Sequence, residues 1–389
     1  MYWLKIFLLV SILLVFYTYA GYAVIAWVLT KLKGSPRPQT AADAPLIPVS
    51  LVIAAFNEAP CIGEKISNCL ELDYPASALT LIFITDGSTD RTAEIIKEQP
   101  RIIHLHEDRR EGKVAAIHRA MQFVSTPVVI FSDANTLLNK ESIKKIVAHY
   151  HDPRTGGVAG EKRVRDLGNN EIAGAGEGLY WKYESLLKKI DSSFYSVVGA
   201  AGELFSVRTA LYAHPGDDTI LDDFIISLHV CRQGYKVAYE PGAYAIENPS
   251  ASIKEEKKRK IRISAGAFQA MLRMKDLLNP FKYPALGFLY LSHRVFRWTL
   301  CPLLLPVIFF LNTWLLVQRP DTLVNTLFVM QLIFYTLAFT GWYLSSRKIT
   351  FKPAYLAYYF VFINISLYQG FFRFLKGHQS VLWEKANRA

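Results

Sequence analysis

From Ile6 to about Thr30 the chain is apolar or aromatic almost without interruption. A helix that crosses a bilayer needs about 20 such residues, whereas the apolar core of a cleaved leader is only about 7–15 long. The run therefore predicts a retained membrane anchor over residues 1–31. Lys31, Lys33 and Arg37 follow at once, and basic flanks tend to stay on the inner side of a membrane. The next segment is expected in the cytoplasm, starting with a linker over 32–47 rich in Pro, Ala and Ser.

From residue 48 the pattern changes to short runs of strand formers separated by helix-compatible stretches. Val49–Ala55, Leu79–Thr85, Arg101–Leu105 and Pro127–Ser132 read as strands. Glu58–Leu70, Ser88–Lys97 and Lys113–Val124 read as helices, with Asn57 and Ser88 or Thr89 as candidate caps. This alternation predicts an α/β domain over 48–252, with a mostly parallel, Rossmann-like sheet and helices on both faces. Ligands of such sheets bind beyond the carboxyl ends of the strands. The informative residues belong just after each strand.

Beyond about residue 250 the period becomes helical. Ile261, Ala265, Phe268 and Leu272 share one face, with Lys258, Arg262 and Lys275 elsewhere; Phe288, Leu291, Val295 and Trp298 do the same beside His293, Arg294 and Arg297. Residues 253–298 therefore read as amphipathic helices lying in the membrane interface, although core-facing helices give the same pattern. Leu300–Val317, Leu323–Leu344 and about Tyr355–Phe374 read as transmembrane helices within 299–375, before a basic tail over 376–389. Three later crossings put the C-terminus outside, yet Arg373, Lys376, Lys385 and Arg388 favour the inside. Either one run stops short of crossing or the interface segment helps to cross.

Composition sharpens this picture. The 389 residues exceed what one compact domain usually needs. With 51% hydrophobic residues, mean hydropathy is +0.18, high for a soluble protein and low for an all-membrane one. The net charge of +11 fits nucleic acid, anionic lipid or an anionic substrate. Its basic residues crowd beside apolar runs, at Lys31 and Lys33, Lys257 to Lys260, and Arg347 and Lys348. A lipid membrane is therefore the expected partner, and nucleic acid is not. Cys61, Cys69, Cys231 and Cys301 form no C-x-x-C pair and no zinc spacing.

Four strand ends carry polar clusters: Asn57-Glu58, then Asp86-Gly87-Ser88-Thr89-Asp90, then Glu111-Gly112-Lys113, then Asp133-Ala134-Asn135. Alone, the second is a turn with a helix cap and the third a surface turn. Together at the mouths of successive strands they describe a nucleotide crevice. Asp86 can accept hydrogen bonds from a base edge, and Lys113 at a helix start can neutralise phosphate. Asp133 and Asn135 supply two oxygens for a hard divalent cation on a diphosphate. No Walker A and no G-x-G-x-x-G pattern occurs. Downstream, the small residues before Gly202 and Glu203 let a sugar approach the backbone. Asp222 and Asp223 offer a carboxylate to take an acceptor hydroxyl proton, and the same pair would also start a helix.

In this order the residues resemble the family 2 glycosyltransferases, with a closer likeness to the membrane-integrated cellulose, hyaluronan and poly-N-acetylglucosamine synthases. The likeness covers about residues 48 to 270, with weaker support from the spans and from Trp383–Arg388. It implies a GT-A fold, a UDP-sugar donor, Mg2+ or Mn2+, and inversion of the anomeric centre in one displacement. By position it implies nucleotide-sugar contacts at Asn57, Glu58, Asp86, Lys113, Asp133 and Arg262. It puts acceptor contacts at Gly202 and Glu203, a metal at Asp133 and Asn135, and catalysis at Asp223 with Asp222.

Two departures stand out. Asn135 replaces the second Asp of the family's D-x-D. Arg259-Lys260-Ile261-Arg262-Ile263 replaces its Q-x-x-R-W, so the Trp that floors the acceptor sugar in processive members is Ile263 here. The expected function is transfer of a sugar from a UDP-sugar to a lipid-linked or growing saccharide in polysaccharide synthesis. The expected setting is an inner or plasma membrane, with the catalytic domain cytoplasmic. Ile263 favours the alternative of a non-processive, glycolipid-forming transferase. A rival of another class is a non-catalytic nucleotide-sugar-binding or polysaccharide-export membrane protein.

Overall fold

The computed structural model describes residues 1–33, 45–165, 172–347, 349, 351–377, 380 and 382. The expected linker and the Trp383–Arg388 tail fall largely or wholly outside them. Among the described residues eight strands form one sheet: β1 (Val49–Ala55), β2 (Leu79–Asp86), β3 (Ile102–Glu107), β4 (Val128–Ser132), β5 (Thr136–Leu138), β6 (Thr155–Val164), β7 (Leu204–Arg208) and β8 (Lys236–Glu247). Their order is β3-β2-β1-β4-β7-β6-β8-β5. The first half is parallel, as read from the sequence. Beyond β4 the sheet is mixed: β7 runs antiparallel to β4 and β6, while β6 and β8 are parallel.

Side-chain alternation along the strands fills two cores. Val52, Ile82, Ile84, Val129 and Phe131 point to one face, where Ala116, Ile117 and Ala120 of the helix Lys113–Met121 cover them. Leu51, Ile53, Leu81, Phe83 and Ile130 point to the other, under Ile62 and Ile66 of the helix Ala59–Leu70. Burial on both faces is why these strands read as continuous apolar runs.

The expected caps take other parts. Glu58, not Asn57, stands at the start of Ala59–Leu70 and makes no side-chain cap. Asn57 adopts φ +54 and accepts from Thr89 N–H at 2.8 Å, joining two strand-end loops. The helix expected from Ser88 begins only at Thr92, whose N–H is held by the Asp90 carboxylate.

Among the described residues three helices are long and apolar enough to cross a membrane: Tyr2–Leu32, Leu300–Gln318 and Thr322–Ser346. The first and second pack through Leu8, Leu304, Ile308 and Leu315. The last apolar run, Lys352–Leu375, is not among them. It carries Lys352, Asn364, Gln369 and Arg373 and lies along the helix Ile253–Arg273, with Phe268 and Phe371 in ring contact at 5.0 Å. In the segment around 290–298 the basic side chains turn inward. His293, Arg294 and Arg297 are buried against Asp191 and Glu184 of the helix Ile172–Phe194.

Candidate active site

The turn after β4 is fixed from below. Lys65, fully buried on Ala59–Leu70, donates to Ser132 Oγ and to the Thr136 carbonyl, both at 2.8 Å. Thr136 Oγ1 donates back to the Asp133 carbonyl at 2.9 Å. Burial pushes the Lys65 ammonium down, against the pull of Cys69 and Asp133. These bonds leave the Asp133 carboxylate on the rim. Antiparallel pairing of Ser132 with Leu204 brings Gly202 and Glu203 alongside, and Ser132 Oγ donates to the Glu203 carbonyl at 2.9 Å.

Lys113 opens the helix that follows Gly112, whose φ of +104 favours glycine. Its Nζ lies 2.7 Å from Asp133 Oδ1 and 3.7 Å from Asp222 Oδ2. Burial works against its charge, but Asp133, Asp222 and Asp223 outweigh that and hold the ammonium above its ordinary range. Asp222 and Asp223 form the first turn of the helix Asp222–Arg232. Burial, then the neighbouring Asp222, raise Asp223 to about 7 against the pull of Lys113. Asp133 is raised too, chiefly by burial, with Lys113 opposing. A Cβ at Gly202 would sit 3.2 Å from Lys113 Nζ and 3.5 Å from Asp223 Oδ2. Glycine thus keeps open the space between the Lys113 ammonium and the Asp223 carboxylate.

Lys113, Asp133, Asn135, Asp222, Asp223 and Arg262 all line one cleft of about 1180 Å³, as do Glu58, Gly202 and Glu203. Asn135 Nδ2 is 3.4 Å from Glu247 Oε1. Glu203 faces the fully buried Lys162, which also pairs with Glu247. Burial raises Glu203, but Lys162 outweighs it and draws the carboxyl to about 2. Arg262 reaches in from Ile253–Arg273; burial lowers it while Asp222 and Asp223 attract its charge.

Asp86 and Asn57 do not line this cleft. Asp86 is buried beneath the loop before Lys113, accepting from Glu111 N–H at 3.0 Å and Gly112 N–H at 2.6 Å, with Arg119 on its other oxygen. Its carboxylate anchors the loop that presents Lys113. Sequence reasoning missed other cleft residues: Trp181 and Lys188, Glu247, Arg294 and Trp298, and Arg373. Glu247 closes a long strand that glycines disguise. The others sit on helices whose facing only the tertiary structure fixes.

Residues 50–211 match the family model described as glycosyl transferase family 2. Over that stretch the chain is similar to the family 2 glycosyltransferases. Curated relatives of the family 2 domain include the poly-beta-1,6-N-acetyl-D-glucosamine synthase of Staphylococcus aureus, 27% identical over 236 residues. Its namesake from Staphylococcus epidermidis is 26% identical over 238 residues. Each alignment covers 58% of this chain and 56% of the relative, so the chain spans about half the length of the curated relatives it matches. A solved mannosyltransferase from Pyrobaculum calidifontis, in complex with GDP-Man and Mn2+, superposes with a TM-score of 0.71 at 19% identity. It covers 95% of this chain and 98% of its own. That likeness establishes the fold, a GT-A domain joined to further helices. With the three apolar helices, the chain is a membrane protein.

Proposed function

We propose that this family 2 domain transfers a sugar, with inversion, from a UDP-sugar to a saccharide or lipid-linked acceptor at the cytoplasmic face of a membrane. One observation carries the reading. Lys113, Asp133, Asp222, Asp223 and Arg262 come from separated stretches of chain and line a single cleft. Lys113 and Arg262 supply positive charge for a departing diphosphate. Asp223, held near neutrality, is matched to taking the acceptor hydroxyl proton as that oxygen attacks the anomeric carbon. Asp222 keeps the base strong and pairs with Lys113.

Asp133 and Asn135 offer carboxylate and amide oxygens at the cleft wall. Among the described residues no three His, Cys, Asp or Glu side chains gather to hold an ion alone. The donor set therefore suits Mg2+ or Mn2+ shared with substrate phosphates. Bound there, such an ion would neutralise charge on the leaving diphosphate. The relatives' names make N-acetylglucosamine the first donor sugar to try.

The test is turnover of labelled UDP-N-acetylglucosamine, and then other UDP-sugars, by the full chain. Asp223→Asn should slow transfer by about 10²–10⁴-fold while UDP binding persists; normal turnover in that variant refutes the assignment. A second reading, single addition to a lipid, is favoured by Ile263 in the cleft wall where processive members carry Trp. A one-sugar glycolipid supports it, and a ladder of oligomers supports the polymer synthase.

A further inference from the structure

Two arginines from different helices face the cleft without a hydrogen bond or close ion pair among the described residues. Arg262 belongs to Ile253–Arg273 and Arg373 to Lys352–Leu375, and both line the cavity. Their neighbours differ. Lys258, Arg259 and Lys260 also line it, but each pairs with Glu255 or Glu256. Neither Arg262 nor Arg373 makes a hydrogen bond or ion pair among the described residues, and Arg262 Nε is buried with no acceptor. Buried donors of this kind are rarely left unmet.

The pair is held in place by close helix packing. A Cβ at Gly370 would lie 2.3 Å from Ser264 Cβ and 2.9 Å from the Ile261 carbonyl, so the two helices touch through this glycine. Arg373 stands one turn further on. Burial, first, and the Arg373 charge, among lesser effects, both disfavour the Arg262 cation, although Asp222, Asp223 and Asp133 attract it. Guanidinium does not lose its proton in proteins. Two like charges therefore face one cleft, and although Asp133, Asp222 and Asp223 attract Arg262, neither guanidinium fork has a hydrogen-bonding acceptor among the described residues.

We propose that Arg262 and Arg373 form one anion site that binds a phosphate group of a substrate, so the last helix supplies part of the active site. Planar forks from two directions suit phosphate oxygens better than a single point charge. The phosphate comes either from the donor diphosphate or from the head of a lipid-linked acceptor; that choice of sources rests on the transfer reading above, whereas the site itself does not.

The experiment measures equilibrium binding to the full chain in detergent, without turnover. The probes are inorganic pyrophosphate, UDP against uridine, and a polyprenyl phosphate against its free polyprenol. Arg373→Gln should weaken pyrophosphate binding about tenfold, the loss expected for a charged hydrogen bond, and leave uridine and polyprenol unchanged. A matching loss for UDP assigns the donor diphosphate; one for polyprenyl phosphate assigns the acceptor. Arg373→Met, which keeps the apolar stem and its packing, repeats the measurement should the Gln variant fail to fold. Unchanged affinity for all three phosphates in a folded variant overturns the proposal. Absent transfer with intact pyrophosphate binding would instead count against the functional reading alone.

Discussion

A carboxylate is best matched to base work at neutral pH when its environment raises its pKa toward that pH without forbidding ionisation, and Asp223 meets that condition. Burial and Asp222 push it to about 7, and Lys113 keeps it from going higher. Transfer needs the ionised form, so kcat/KM should climb about tenfold per pH unit below about 7 and level off above. The same shift acts on stability with a definite sign. An unfolded Asp titrates near about 3.9, so between about 4 and about 7 the folded chain holds the extra proton. Stability then falls as pH rises through that window and is flat beyond it. Asp223→Asn removes this loss and should melt no lower than the parent chain at pH 8. A rate profile flat from pH 5 to 8 would take Asp223 out of the base role.

At the scale of elements, the contact of Ile253–Arg273 with Lys352–Leu375 is the one the site depends on, because it brings Arg262 and Arg373 to the same wall. Gly370→Ala places a methyl in that contact and should destabilise the chain by ~1–3 kcal/mol, read as a lower thermal midpoint with weaker activity. Gly63→Ala is the control: its helix position is exposed with nothing within 4 Å of the added carbon. Helix propensity makes it neutral to stabilising by up to ~1 kcal/mol. Equal effects at both positions would mean that the two helices do not touch. Legibility in sequence divides at the same scale. The first four strands were readable to within two residues, β1, β2 and β4 because burial on both faces makes them apolar throughout. β6 and β8 were not. Gly156, Gly157, Gly160, Pro241 and Gly242 interrupt the apolar pattern of these two strands, whose pairing is long-range and carries register shifts. The site divides likewise. Lys113, Asp133, Asp222 and Asp223 follow strands or open helices, where motif reading works. Asp86 looked like a base contact, and only the folded loop reveals its bonds to Glu111 and Gly112.

The whole molecule poses the question of sides. If Tyr2–Leu32, Leu300–Gln318 and Thr322–Ser346 each cross the membrane, the helix Lys352–Leu375 begins on the same side as the sheet domain. That agrees with Arg373 lining the catalytic cleft, which a fourth crossing ending on the far side would prevent. It also agrees with an ion pair at the opposite end. Lys5, at the start of the first span, pairs with Asp321, in the short link between the other two. Both must then lie on the far side, where Lys5 and Arg319 are the basic residues of these segments. Among the described residues, Lys31, Lys33, Arg347, Lys352 and Lys376 would then lie on the near side. On the positive-inside tendency we propose that the near side is the inner one. A topology reporter inserted within residues 34–44 and another fused after residue 389 should therefore report the same, cytoplasmic, compartment. One placed at Pro320 should report the other. Opposite readings from the first two would mean that Lys352–Leu375 crosses the membrane, and its arginine could then not share a wall with Arg262.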